Sequence, residues 1–194
     1  AGLDGDDLGS EKATFYEVGW RRGLSGLHSL DLTLYQGDYD NLLSRENDGL
    51  KNKLSGRIRG AEFSVNSQVN PDWLVRLNLS HAELEVKADA DSIAAASAAA
   101  TEQVMPENMV QLVSMVDLND YWQMNAYLRY MDSITVAGND IDSYMTTDWS
   151  LVWNNQRGMT VKMVIRDLAD AEHQEWDKDV PIEASYGVYV KWIF

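Results

Sequence analysis

The chain has 194 residues and no cysteine, so a single domain-sized unit is expected, and disulfides, thiolate metal centres and cysteine nucleophiles are all excluded. Lys and Arg number 16 against 31 Asp and Glu, and the resulting charge of −15 argues against a nucleic-acid partner, which needs a basic patch. No run of 18 or more apolar residues exists, so no membrane-crossing helix is predicted. Strands that alternate lipid-facing and lumen-facing residues would fit the same composition.

Nine segments read as strands in chain order: 14–22, 29–39, 57–69, 73–86, 109–118, 121–131, 143–154, 159–167 and 184–194. Each is close to the length a tilted strand needs to cross a bilayer. Most carry one apolar face at period two. Tyr16, Val18 and Trp20 open the series, followed by Leu30, Leu32 and Leu34, and then by Ala61, Phe63 and Val65. The fourth segment carries Trp73, Val75, Leu77 and Leu79, with a parity break at His81 and Ala82 that predicts a bulge. The fifth is apolar on both faces, which leaves its register open. The sixth presents Trp122, Met124, Ala126 and Leu128, the seventh Trp149, Leu151 and Trp153, and the eighth Met159, Val161, Met163 and Ile165. The last alternates strictly through Tyr186, Val188, Val190 and Trp192 and stops on Phe194.

The connections alternate as well. Short ones built from Gly, Asn, Pro and Asp fall at 23–28, 70–72, 117–120 and 154–158, and long ones at 40–56, 87–108, 132–142 and 168–183. Short turns on one side and long loops on the other describe an outer-membrane barrel with turns in the periplasm and loops outside. Seven Trp and nine Tyr against three Phe suit a membrane interface, so Trp20, Trp122, Trp149, Trp153 and Trp192 are expected on the lipid face toward strand ends. In the longest loop, the Ala-rich run 93–101 reads as a short helix capped by Asp91 or Ser92, or as a flexible segment. Complete bacterial barrels have an even strand count, so nine strands imply an N-terminal part outside this chain.

The stretch from Ser10 to Arg21, with Tyr16-Glu17-Val18-Gly19-Trp20-Arg21, resembles a barrel strand of TonB-dependent outer-membrane receptors. The stretch Ser29–Leu42, the tetrad Gly60-Ala61-Glu62-Phe63 and the terminal aromatic strand follow in that family's order. The resemblance implies a 22-stranded barrel with a plug, importing iron chelates, cobalamin or similarly scarce ligands, of which this chain would be the last nine strands. It also implies that Phe194, Trp192 and Tyr186 form the signal read by the barrel-assembly machinery. No plug and no TonB-contacting segment is present, so contact with the TonB system would run through a plug region outside this chain. The family's penultimate-strand motif appears only loosely, as Arg166-Asp167-Leu168-Ala169-Asp170.

Arg21, Arg76, Arg129, Lys162, Arg166 and Lys191 fall on the polar parity of their strands. They read either as ordinary cross-strand partners or as a lumen wall that attracts an anionic ligand or an acidic plug, with Arg76, Arg129, Lys162, Arg166 and Lys191 as the lumen candidates. Acidic clusters at Asp4–Asp7, Asp140–Asp142 and Glu172–Asp179 suit solvated outer loops, with a weakly held hard cation as the alternative. His28, His81 and His173 are scattered without metal-ligand spacing, and no nucleophile elbow, phosphate loop or paired-carboxylate site is present. No enzyme activity, no metal and no cofactor are expected.

The expected architecture is therefore all-β, an antiparallel up-and-down transmembrane β-barrel segment filling residues 1–194, in the bacterial outer membrane with lipid as its surrounding partner. The alternative is a small closed β-barrel, soluble or membrane-embedded, that binds an apolar or small ligand; a non-transporting barrel that interacts through its acidic loops is a third reading. The two outer strands, at 14–22 and 185–194, are expected to pair with further strands of the intact receptor, and self-closure is the second expectation. Both edges bare in the chain alone would count against a membrane barrel.

Overall fold

The computed structural model describes residues 8–155, 157–169 and 172–193. In chain order its strands are β1 (Lys12–Ser25), β2 (His28–Glu46), β3 (Gly49–Asn70), β4 (Trp73–Ala88), β5 (Asn108–Asn119), β6 (Trp122–Met131), β7 (Ile134–Val136), β8 (Asn139–Ile141), β9 (Tyr144–Asn154), β10 (Met159–Arg166), β11 (Glu172–His173), β12 (Ile182–Glu183) and β13 (Ser185–Trp192). A helix, α1 (Ala95–Gln103), lies between β4 and β5. The nine long strands form one antiparallel sheet in the order β1-β2-β3-β4-β5-β6-β9-β10-β13, and β7–β8 and β11–β12 are separate two-stranded pairs. All nine expected strands are present.

Register explains why alternation in sequence becomes two unlike surfaces. Residues opposite each other in antiparallel strands point to the same side. Trp20 faces Leu32, which faces Phe63, then Leu79, Val110, Tyr130 and Met145. Nearer the short turns, Trp73, Val116, Met124, Leu151, Met163 and Val188 form a second apolar row. The intervening residues build polar rows. One runs Arg21, Asp31, Ser64, Asn78, Gln111, Arg129 and Thr146. Its members bond sideways: Arg21 pairs with Asp31, Ser64 Oγ donates to Asn78 Oδ1 at 2.8 Å, and Asn78 Nδ2 donates to Gln111 Oε1 at 3.1 Å.

The open register of the fifth segment is now fixed. Val110, Leu112, Ser114 and Val116 join the apolar face, while Gln111, Val113 and Met115 take the polar one. All five tryptophans expected on the apolar face belong to its rows. Trp122, Trp153 and Trp192 lie at strand ends beside the short turns, as does Trp73. Trp20 and Trp149 sit mid-strand instead, where apolar area rather than an interfacial N–H decides the placement.

Three details depart from the sequence reading. The expected loop at 40–56 is an extension of β2 and β3, joined by a tight turn between Glu46 and Gly49. The bulge falls near Asn41, whose φ of 59° is a left-handed conformation that Asn tolerates, and not at His81–Ala82, where pairing is unbroken. The helix forms but is not capped by Asp91, which pairs with Lys53 at 2.7 Å. Glu46 instead accepts the Ile93 backbone N–H at 2.9 Å and the Ser92 hydroxyl at 2.6 Å, while Ser92 Oγ accepts the Ala94 N–H at 3.0 Å.

The parity break read at His81 has a different physical meaning. Beyond Leu34, Ala61 and Leu79 the face that was apolar becomes charged: Arg57 donates to Asp38 at 2.5 Å, Arg59 to Gln36 at 3.0 Å, and Lys87 lies 3.4 Å from Glu85. The opposite face turns apolar there, and α1 covers it. Leu54, Val86, Ala94 and Ala98 are buried together, with Leu42, Leu84 and Ala88 packed against them. The sheet thus exchanges its two faces between the banded region and this ledge. Just below the ledge, the Tyr35 ring lies where a Cβ on Gly60 would stand, and so requires glycine at that position.

The sheet does not close on itself. β1 and β13 have no pairing with each other, so the small closed barrel and self-closure are both set aside.

Candidate functional site: the polar face and its loop end

The polar face contains all five basic candidates, but it does not gather them. Lys191 lies opposite Thr160, beside the short turns, and Lys162 opposite Tyr189. Arg166 faces Ser185 at the loop end of β10, and Arg76 stands between Asn66 and Val113 in the middle of the sheet. Arg129, on β6, sits under the loops, and there a specific cluster forms.

The cluster begins where the chain leaves β10. Asp167 adopts φ 56°, its N–H bonds to Asp148 Oδ1 at 3.0 Å, and the next N–H, of Leu168, bonds to the Thr147 carbonyl at 3.0 Å. This turns the chain back toward β9. The β11–β12 pair then brings two side chains onto the polar face of strands its own segment does not adjoin. Arg129 Nη2 donates to Glu175 Oε1 at 2.7 Å, and the same oxygen lies 3.1 Å from His173 Nε2. The His173 ring stacks on Tyr144 with centroids 4.4 Å apart, and the Arg129 guanidinium lies 5.8 Å from the centroid of the same Tyr144 ring. His173 and Tyr144 are buried, at 4% and 5% exposure. The expected loop at 168–183 is therefore folded onto the wall.

Sequence reasoning named His173 and the Glu172–Asp179 acids without joining them, and it did not single out Tyr144. The signal available was the His-x-Glu spacing, which at period two sets both side chains on one side of an extended segment. What it lacked was a reason to place that segment against β6. The Glu172–Asp179 acids are thus not uniformly solvated, since Glu175 has a defined partner.

Also at the loop end, α1 and the β7–β8 pair border an open cavity of about 650 Å³ lined by Glu102, Glu107, Asp132, Asp140 and Asp142 and, among the described residues, by no basic side chain. Asn108 Nδ2 donates to Asp132 at 2.7 Å and, with the Ser133 N–H, holds that carboxyl below the usual carboxylate range. Among the described residues no three acidic or histidine side chains converge as a metal would need. The acids at Asp4–Asp7 lie outside the described residues, as does Phe194; Tyr186 and Trp192 are on the apolar face of β13.

A family model described as TonB dependent receptor-like, beta-barrel matches residues 1–168. No curated protein matches the chain. Among solved structures, the ferric-catecholate import receptor Fiu from E. coli K12 is similar with a TM-score of 0.74 at 19% identity, over 98% of this chain and 29% of that one. The siderophore receptor PiuA from Acinetobacter baumannii gives 0.77 at 14% identity, over 93% and 28%. The FrpB iron transporter from Neisseria meningitidis gives 0.77 at 12% identity, over 95% and 32%. At these identities the likeness is one of fold, and the chain spans about a third or less of the length of each of these proteins.

Proposed function

The chain belongs to the TonB-dependent receptor-like β-barrel family, and from that premise we propose that it is the C-terminal wall of an outer-membrane receptor that takes up a scarce ligand such as an iron–siderophore complex. The family is one of receptors and transporters of the bacterial outer membrane rather than of enzymes. One observation carries the reading: a nine-stranded sheet with a mainly apolar band on one face, polar rungs on the other, and an unpaired strand at each edge.

In this reading the apolar band faces lipid, the polar rungs face the lumen, and the ledge with α1 stands above the membrane. Bare edges in the chain alone do not count against a membrane barrel after all. Open edges are what part of a larger wall leaves when its neighbouring strands are not there, and the chain covers 29% of the similar receptor Fiu. The missing strands would satisfy the edge groups of β1 and β13, each of which costs several kcal/mol if left bare against lipid. The plug and its TonB contact would lie in the remainder of the receptor. Arg76, Arg129, Lys162, Arg166 and Lys191 would line the passage, and Tyr186, Trp192 and Phe194 would present the terminal strand to the assembly machinery.

Iron uptake tests the ligand class. Iron-starved cells carrying the full-length gene should accumulate radioactive iron from at least one of a ferric catecholate, hydroxamate or carboxylate chelate more than cells lacking it. Equal uptake of all three would overturn the iron reading.

A further inference from the structure

We propose that Arg129 is an anion-binding position at the receptor mouth and that Glu175 occupies it from within, so that residues 172–183 form a strap released when a ligand carboxylate or similar two-oxygen anion takes Glu175's place. The proposal rests on the outward and lumen assignment of the faces made above, and it adds a ligand group and a moving part to it.

Three observations support it. The first is reach. β10 adjoins β9, and β9 adjoins β6, so the segment that follows β10 must cross β9 on the polar face for Glu175 to meet Arg129 at 2.7 Å. Ordering a loop in this way costs conformational entropy and needs a specific reward at the far end. The second is the identity of that reward. A guanidinium is a planar fork suited to two carboxylate oxygens, and Glu175 meets it here through one oxygen, which His173 shares at 3.1 Å, while the Tyr144 hydroxyl also bonds to the Glu175 carboxylate. A ligand carboxylate can use the fork more fully than the tethered side chain does. The third is the setting. The Tyr144 ring, stacked on His173 at 4.4 Å and 5.8 Å from the Arg129 guanidinium, joins the two halves of the latch.

The test is amide hydrogen exchange of residues 172–183 in the purified full-length receptor, with citrate as the anion probe and chloride at matched ionic strength as the control. Charged hydrogen bonds of this kind, discounted for the partial exposure of Arg129, predict that Glu175→Gln raises exchange there about fivefold or more. Arg129→Gln should do the same, and the double variant should add little, because both remove one contact. Citrate should raise exchange saturably in the wild type and not in Arg129→Gln. Exchange in peptides from β1 to β4 should stay unchanged, separating strap release from misfolding. Unchanged exchange in Glu175→Gln, no citrate response in the wild type, or an equal citrate response in Arg129→Gln would each overturn the proposal. The readout does not involve transport, so it fails or holds separately from the iron reading.

Discussion

The banded region and the ledge are made of the same strands, yet they solve opposite problems. In the band, β2 to β4 put Leu32, Phe63 and Leu79 on one face and Asp31, Ser64 and Asn78 on the other. A few residues further along, Asp38, Arg57 and Glu85 occupy the first face, while Val86 and Leu54 are buried on the second beneath α1. The exchange of faces needs no break in pairing, since β3 and β4 stay in regular register through His81 and the β2 bulge near Asn41 lies beyond Asp38. On the proposed reading, what changes is the solvent each face meets. Where lipid surrounds the wall, the apolar side must be outside; where water does, it must be covered from within. The exchange of faces along β2, β3 and β4 is then where the membrane boundary would fall.

The largest expected effect comes from violating that rule in the band. Leu77→Arg should destabilise the full-length receptor in lipid vesicles by about 2–4 kcal/mol, the cost of a lipid-facing arginine near the bilayer midplane. Glu85→Arg, on the same face of the same strand but in the ledge, should stay within about 0.5 kcal/mol, as exposed substitutions do. Urea titration of both compares the two regions directly, and equal costs would break the comparison.

In the ledge the sensitive face is the other one. Leu54→Ala opens space under α1 and should cost about 2–3 kcal/mol locally, seen as faster amide exchange in α1 with little change in the band. At the boundary, Gly60→Val should cost about 1–3 kcal/mol because its side chain must displace the Tyr35 ring and crowd the His81 carbonyl; a thermal melt reads this, and Tyr35→Ala should relieve part of it.

The smallest effect is one of pH. The Ile93 N–H, then the Ser92 hydroxyl, hold the Glu46 carboxyl below its ordinary range, and Lys53 does the same for Asp91. A depressed carboxyl contributes stability that is present above its unfolded value and lost as pH falls through its folded one. Lys53 is raised by Asp91, so its share is present below the ordinary lysine range and lost at strongly alkaline pH. Docking of α1 should therefore loosen in acid, and Glu46→Gln should flatten that dependence in an exchange experiment.

Much of this was legible beforehand, for a physical reason. Period-two patterning fixes the two faces, and all nine strands followed from runs such as Trp122–Leu128 and Tyr186–Trp192. The ledge was not, because a strand with both faces mixed, as in 40–56, looks like a loop when its cover is a helix some 40 residues away. His81 looked like a bulge because an exchange of faces and a slip of register give the same parity break. The Arg129 cluster was half legible. Arg129 stood out by parity, but its partner Glu175 arrives through a turn at Asp167 that no periodicity encodes.

The claim on which all this rests is the direction of the faces, and cysteine scanning of β4 tests it most directly. The chain has no native cysteine, so each introduced one is unique within it. In the full-length receptor in intact outer membranes, with any cysteine elsewhere removed, a membrane-impermeant maleimide should label positions 76, 78 and 80 and spare 75, 77 and 79. Beyond the boundary the pattern should invert, with 83, 85 and 87 labelled and 84 and 86 protected. Uniform labelling through 75–80, or an alternation that keeps its phase across His81, would contradict the account.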